Sequence, residues 1–276
     1  MNFFFRDVFW YYTISTLLAI IISFPIIIIV LGSFKISPEI NFNFNNFLNE
    51  FTIEKYFSIW DLKIRSNNNT FKQSLFNSLI VTGGTVTLSI IIYILGAYAL
   101  SILKTPFRNL LFVLLILPFL IPIYSIIIPL YKLITQLNLN DTYIGLILIH
   151  STSILPIGIF LMYNSFKSIP KSLREVSILN GSSEFQIITL IMLPLVIPGI
   201  VTLVIFSIYI FWNDYLLALI LMNSPDMQML NITLSKIGFR SGSTLAGYVI
   251  SYIPFVLFFI FLQKFYIRGI LTSSLR

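Results

Sequence analysis

Residues 74–103 read SLFNSLIVTGGTVTLSIIIYILGAYALSIL, thirty consecutive positions without a charge. A bilayer core is crossed by about 20 mostly apolar residues rising about 1.5 Å each, so this run is long enough to span one. A membrane β-strand would alternate apolar and polar residues over about ten positions. Here Ile90, Ile91 and Ile92 follow one another, which puts apolar side chains on every face and requires a helix. Five further charge-free runs occupy 8–34, 109–131, 142–166, 185–213 and 241–263. The expected fold is therefore an all-α integral membrane protein of six transmembrane helices, at 11–31, 75–103, 110–130, 144–163, 195–222 and 245–266.

Composition agrees. Of the 276 residues, 57% are hydrophobic and 10% charged, against about 25% charged in a soluble domain whose surface must face water. The net charge of +7 comes from 17 Lys and Arg scattered along the loops, without the basic stripe of a nucleic-acid binder. Cysteine is absent, which excludes disulfides, thiolate metal sites and cysteine nucleophiles. No G-x-x-x-x-G-K-[ST] loop occurs to cradle a nucleotide, and no catalytic triad or carboxylate pair lies within the helices. No catalytic residue, cofactor or metal site is expected.

Between the runs, residues 35–72 form a polar, Asn-rich loop whose Phe and Trp residues imply packing through short helices. Pro106 lies in the short 104–108 turn, making its flanking helices antiparallel neighbours. Eight of the twelve prolines (25, 118, 122, 129, 156, 194, 198 and 254) fall within the spans. Broken helices at membrane depth are tolerated where protein or a water-filled cavity satisfies the freed carbonyls; a transport path and simple packing kinks both fit. With the amino terminus inside, nine Lys and Arg lie on the cytoplasmic side and eight outside, five of those in the long first loop. The short inside turns favour this orientation.

The most informative polar stretch is 164–198, NSFKSIPKSLREVSILNGSSEFQIITLIMLPLVIP. Ser172 three before Glu175 fits a capping box, with Leu173, Val176 and Leu179 on one helical face. Gly181 suits the left-handed residue that ends a helix, and Ser183 with Gln186 offers a second capping box. The expected result is a helix–turn–helix knob at the membrane surface, ended by Pro194 before the fifth span and shaped to receive a soluble partner.

Glu175, Gly181 six residues later, then Ile191-x-Leu193-Pro194 resemble the EAA loop of ATP-binding-cassette (ABC) importer permeases, here at 170–194. Val176-Ser177 stands where the family prefers Ala-Ala, and Asn180 where an Asp usually precedes the glycine. Nearly the whole chain resembles the MalG-type, binding-protein-dependent sugar permeases. The resemblance runs through Tyr56-Phe57-Ser58-Ile59-Trp60, Phe76-Asn77-Ser78-Leu79, Ala97-Tyr98-Ala99-Leu100, Ile121-Pro122, Pro129-Leu130-Tyr131 and Phe211-Trp212-Asn213-Asp214. The carboxyl end resembles the family's last turn at Phe265 to Gly269 but finishes on Ser273-Ser274-Leu275-Arg276.

That resemblance implies a multi-pass subunit of the bacterial cytoplasmic membrane with both termini cytoplasmic. It also implies a second permease of similar fold, two ABC ATPases docked on the EAA loops, an extracytoplasmic solute-binding protein and a surrounding lipid bilayer, with no nucleic acid. Glu175, Val176, Ser177, Gly181, Ile191, Leu193 and Pro194 would couple to the ATPase. Trp212, Asn213, Asp214 and Tyr124 are candidates for the pathway or outer gate. Asp214, about 30 Å along the helix from Pro194, fits an outer gate or an interface anchor. His150, the single histidine, is expected to be a packed polar residue with a partner in the bundle. Tyr124, Tyr143, Tyr163 and Asn213 suit either a sugar path or an interfacial belt. The alternative reading is an ion-gradient-driven secondary transporter, which usually carries ionisable residues near the midplane and internally repeated halves.

Overall fold

The computed structural model describes residues 2–35, 51–61, 70–237 and 242–274. Most of the expected 35–72 loop and the last two residues of the tail lie outside them. Four helices are each long and apolar enough to cross a bilayer: Phe9–Ser33, Phe71–Ser101, Glu184–Trp212 and Ser243–Phe265. Two bent pairs bring the number to six if each pair is one span: Arg108–Leu120 with Ile123–Gln136, and Tyr143–Ser153 with Leu155–Lys167. Lys35 and Phe51 form an isolated β-bridge.

The described residues cluster into two compact units. The first comprises Met1–Lys72 and Thr233–Ile253. Its first helix, α1 (Asn2–Ser33), has no buried residue in its apolar window; a helix apolar all round with no protein cover suits lipid contact. Its end is held where the Ser33 hydroxyl meets that of Tyr56 at 2.6 Å and Phe34 stacks on Phe51 at 4.7 Å. Tyr56 belongs to the short helix α2 (Glu54–Ser58), which continues as a 3-10 turn through Asp61. Within this unit Ile59 and Leu234 close so tightly on Gly247 that an added Cβ would stand 2.6 Å from each.

The second unit, Gln73–Ile232 with Pro254–Arg276, carries the candidate site. Most of α3 (Phe71–Ser101) belongs to it. Next come α4 (Arg108–Ile116) and α5 (Ile127–Gln136), joined by two 3-10 turns, and then α6 (Tyr143–Ser153) and α7 (Leu155–Lys167). The polar loop contributes α8 (Lys171–Leu179) and α9 (Glu184–Gln186). A π-helical turn, Ile187–Met192, leads into α10 (Leu193–Trp212). After a break come α11 (Leu216–Leu221) and the start of α12 (Leu230–Ile237), which continues into the first unit; α13 (Gly242–Ser274) belongs to the first unit up to Ile253 and to the second from Pro254. One buried cluster joins α3, α7 and α10 through Tyr93, Tyr98, Met162, Phe166, Met192 and Leu203; a second joins α3, α5, α6 and α11 through Val81, Ile134, Leu146 and Leu217.

Three of the expected spans are interrupted. The run 110–130 is broken, as its prolines allow: the pair it belongs to bends by 86°. Pro118 and Pro122 both lack an N–H, and Ile121, preceding a proline, takes the extended conformation (φ −100°, ψ 115°) that such a position favours. The run 144–163 likewise bends by 55° where Pro156 enters the first turn of α7. The run 195–222 ends early, since α10 stops at Trp212 and α11 is a separate element.

Candidate functional site

The 164–198 loop is built from its local chemistry. Phe166 and Ile169 are buried and anchor its start. Pro170, with φ fixed at −60°, is the N-cap of α8, and no side chain caps that helix. The expected Ser172–Glu175 capping box is therefore absent: the proline starts the helix early and leaves Ser172 as its second residue, inside the first turn. Glu175 and Val176 are exposed, as are Leu173, Ile178 and Leu179, so α8 presents a carboxylate and an apolar face without protein cover. Ser177 points the other way, buried, with its hydroxyl donating to the Leu173 carbonyl at 2.6 Å.

Gly181 ends α8 with φ 80°. Its N–H donates to the Ile178 carbonyl at 2.9 Å and the Ser182 N–H to the Ser177 carbonyl at 3.0 Å, the paired bonds of a Schellman motif. Ser183 and Gln186 form the second capping box as expected: Gln186 N–H donates to Ser183 Oγ at 3.3 Å and Ser183 N–H to Gln186 Oε1 at 2.9 Å.

Pro194 does not end this second helix. Glu184–Trp212 is one continuous helical span, and the proline is absorbed by the π turn before it. Because the Pro194 ring would clash with the carbonyl four residues back, the ladder loosens, and Leu193 N–H reaches Ile188 O, five residues away. Ile187 and Met192 are buried, Ile191 and Leu193 half-buried and Pro194 exposed.

Glu184 carries a link that no sequence spacing announced. One carboxylate oxygen accepts from the Arg174 guanidinium across the Gly181 turn; the other accepts from Tyr98 Oη at 2.7 Å. Tyr98 is buried near the end of α3, packed edge-on against Phe166 with ring centroids 5.6 Å apart.

At its other end, α3 holds different loops. Asn77 Nδ2 donates to the carbonyls of Asp226 at 2.7 Å and Gln228 at 2.9 Å, and its Oδ1 accepts from Tyr143 Oη at 2.7 Å. Ser78 Oγ accepts from Leu230 N–H at 2.9 Å. Asn77 and Tyr98 are about 31 Å apart along the helix at 1.5 Å per residue, a bilayer core apart. The 168–186 loop and the 222–230 segment therefore lie at opposite ends of the bundle.

Near that second end stands the Trp212-Asn213-Asp214 break. Trp212 is buried and its carbonyl accepts from Asn231 Nδ2 at 2.9 Å, while Asn213 Nδ2 donates back to Tyr209 O at 2.7 Å. Asp214 is not at the surface: its side chain is 7% exposed and that of His150 2%, and Asp214 Oδ2 lies 3.2 Å from His150 Nε2. The same oxygen accepts from Ala218 N–H at 3.0 Å in the first turn of α11, and His150 stacks on Phe211 at 5.1 Å. His150 thus has its partner in the bundle. Tyr124 sits in the 3-10 turn of the first bent pair, 54% exposed and within electrostatic reach of Asp214. Tyr143 is tied to Asn77, and Tyr163 packs on Phe112 at 4.4 Å beneath the Lys167 ammonium. The two helix breaks meet at a cavity of about 530 Å³ lined by Pro118, Phe119, Pro122, Ser153 and Pro156 among others.

Known proteins resemble this chain in sequence and in fold. The family model described as binding-protein-dependent transport system inner membrane component matches residues 91–272. The osmoprotective compounds uptake permease protein GgtD of Synechocystis sp. is 32% identical over 74% of this chain and 70% of its own length. The arabinooligosaccharides transport system permease protein AraQ of Halalkalibacterium halodurans is 28% identical over 97% and 96%. Among solved structures, a bacterial ABC transporter involved in the import of the acidic polysaccharide alginate has a chain that superposes with TM-score 0.76 at 22% identity, covering 94% of this chain and 97% of that one.

Proposed function

The chain belongs to the family of binding-protein-dependent transport system inner membrane components, and on that premise we propose that it forms half of the translocation pathway of an ABC importer for a sugar or related small solute, driven through residues 170–194. The observation that carries the coupling role is the exposed helix α8. It displays Glu175 among Leu173, Val176 and Leu179, and a Schellman turn and a capped helix hold it between two membrane-spanning segments.

An ATPase surface with an apolar groove and a cationic side chain would match that face. Burying the apolar side chains favours docking, and a carboxylate paired with a cation inside the contact gives a charge-assisted bond. Glu175, Val176 and Gly181 then shape the contact. Ser177 seats α8 on the bundle, and Ile191, Leu193 and Pro194 carry motion into α10. Closure of two ATPases on nucleotide would draw two such helices together, a rigid-body displacement passed into the spans. This places the 168–186 loop in the cytoplasm, and with it both termini of a six-span chain in a bacterial cytoplasmic membrane. Lys167, Lys171 and Arg174 on that side accord with the positive-inside tendency.

The partners on this reading are a second permease of similar fold, two ABC ATPases that hydrolyse the ATP, and an extracytoplasmic solute-binding protein. The solute class rests on the relatives, named for osmoprotective compounds and arabinooligosaccharides. The helix breaks around the 530 Å³ cavity support a pathway-facing side, because non-helical backbone at membrane depth must line a cavity or be covered by protein. Trp212, Asn213 and Asp214 would form the outer end, fixed by His150, with Tyr124 nearer the path. A single-chain, ion-gradient-driven transporter is not favoured.

Purification of the detergent-solubilised assembly tests the coupling role. Wild type should bring down an ATPase, Glu175→Ala less of it and Gly181→Val almost none, with the second permease retained in all three. An ATPase bound equally to all three would remove the role of this loop.

A further inference from the structure

The coupling loop is joined through the chain to only two spans, α7 before it and α10 after it. α3 has no such connection: it ends at Ser101 and leads through a turn to α4. Yet the end of α3 reaches the loop through Tyr98, whose hydroxyl donates to Glu184 at 2.7 Å while the other Glu184 oxygen takes the Arg174 guanidinium. One carboxylate, belonging to α9, thereby touches both α8 and α3.

We propose that Arg174, Glu184 and Tyr98 are positioning residues that clasp the coupling helix to α3, so that a displacement of α8 moves α3 together with α7 and α10 as one body. The inference rests on the coupling-loop reading above and adds the route by which the motion is shared. The chemistry of the clasp suits transmission. A surface ion pair between flexible side chains holds little by itself, and Glu184 is 45% exposed. Tyr98, by contrast, is 2% exposed and its ring is fixed edge-on against Phe166 of α7, so its hydroxyl is a stationary donor. A hydrogen bond to an ionised acceptor is also shorter and stronger than a neutral one. The Arg174–Glu184 contact spans the Gly181 turn and so sets the angle between α8 and α9, while the Tyr98 contact sets where that angle sits on the bundle. Behind the clasp, α3, α7 and α10 share a single buried cluster, which resists relative sliding once their ends are tied.

The test uses the full assembly in lipid nanodiscs, with the partner subunits' cysteines replaced. This chain has none of its own, so Leu95→Cys on the exposed side of α3 and Lys171→Cys at the exposed start of α8 take nitroxide labels selectively. The distance between the labels is measured by pulsed electron spin resonance without nucleotide and with ATP and vanadate. With Tyr98 and Glu184 present, one narrow distance population should persist in both conditions. With Tyr98→Phe, which removes one oxygen and leaves the ring on Phe166, a second population should appear on nucleotide addition only. Glu184→Gln, made independently, should do the same and carries the test should the phenylalanine variant not assemble. A tie that merely stabilised the fold would broaden the distances in both conditions, and that result would overturn the proposal. So would a single unchanged population in both variants with the ATPase still bound, in which case the coupling-loop reading survives. An unsubstituted assembly that holds no ATPase on this loop would end both.

Discussion

Gly181 offers a clean test of the coupling loop because its two possible roles separate. A Cβ added there meets nothing within 4 Å, yet its φ is 80°. Within this chain, the loss on adding a Cβ therefore comes from the backbone and not from a clash. Holding a non-glycine residue in the left-handed region costs about 1–2 kcal/mol, less for Asn and more for a β-branched residue. If that turn is what docks, the competent fraction of the loop falls and the apparent Kd for the ATPase rises by the same factor, up to about 5–30-fold. The assay is a titration of purified ATPase against the permease in nanodiscs, with Asn, Ala and Val at position 181. The expected order of affinity is Gly, Asn, Ala, Val. Equal affinities, or Val binding as tightly as Asn, would refute the argument that the left-handed turn presents α8.

Other outcomes follow from the same geometry. Asp214→Ala removes the acceptor shared by His150 and Ala218 N–H and should destabilise the chain by about 1–3 kcal/mol; thermal unfolding in detergent reads this, and adding His150→Phe should cost less than the sum of the two single changes. Gly158→Ala would place a Cβ 2.1 Å from the Tyr93 ring, whereas Gly83→Ala meets open space. The former should lower stability by about 1–3 kcal/mol, and the latter should leave the melting temperature unchanged or raise it. Ser183→Ala loses the capping box of α9 and should cost about 1 kcal/mol, seen as faster amide exchange confined to the residues just after it.

The membrane class was legible because apolar runs without charge have one physical solution in lipid, and Gly181 and the Ser183–Gln186 box were legible because their signals are local. The limits have equally local causes. Hydropathy measures how apolar a run is and carries nothing about direction, so Pro118 and Pro122 marked a place where the span could kink, while the 86° size of the bend left no mark in the sequence. Ser172 carried a correct capping pattern, but Pro170 nucleated the helix first. Partnerships at long range left no trace: His150 and Asp214 are 64 residues apart, and Tyr98 and Glu184 are 86. His150 was expected to find a partner and Asp214 stood out as an acid in a span, but nothing in the spacing joined the two, nor Tyr98 to Glu184.

The π turn at Ile187–Met192 has a consequence for the angular phase of the chain. An α-helix turns about 100° per residue, so one residue added to a strict α ladder would rotate everything before it by that angle, whereas a π turn takes the extra residue into the same revolution and keeps its two flanks nearly in phase. A single residue deleted from the α-helical part of α10, where no π turn is present to take up the change, would swing the α8–α9 knob by roughly 100° around the axis of α10 and turn Glu175 away from the face it now presents, although no side chain of the knob had changed. The π turn at 187–192 is in this sense a phase adjuster, which holds the knob in register with the body of α10 across the proline at 194.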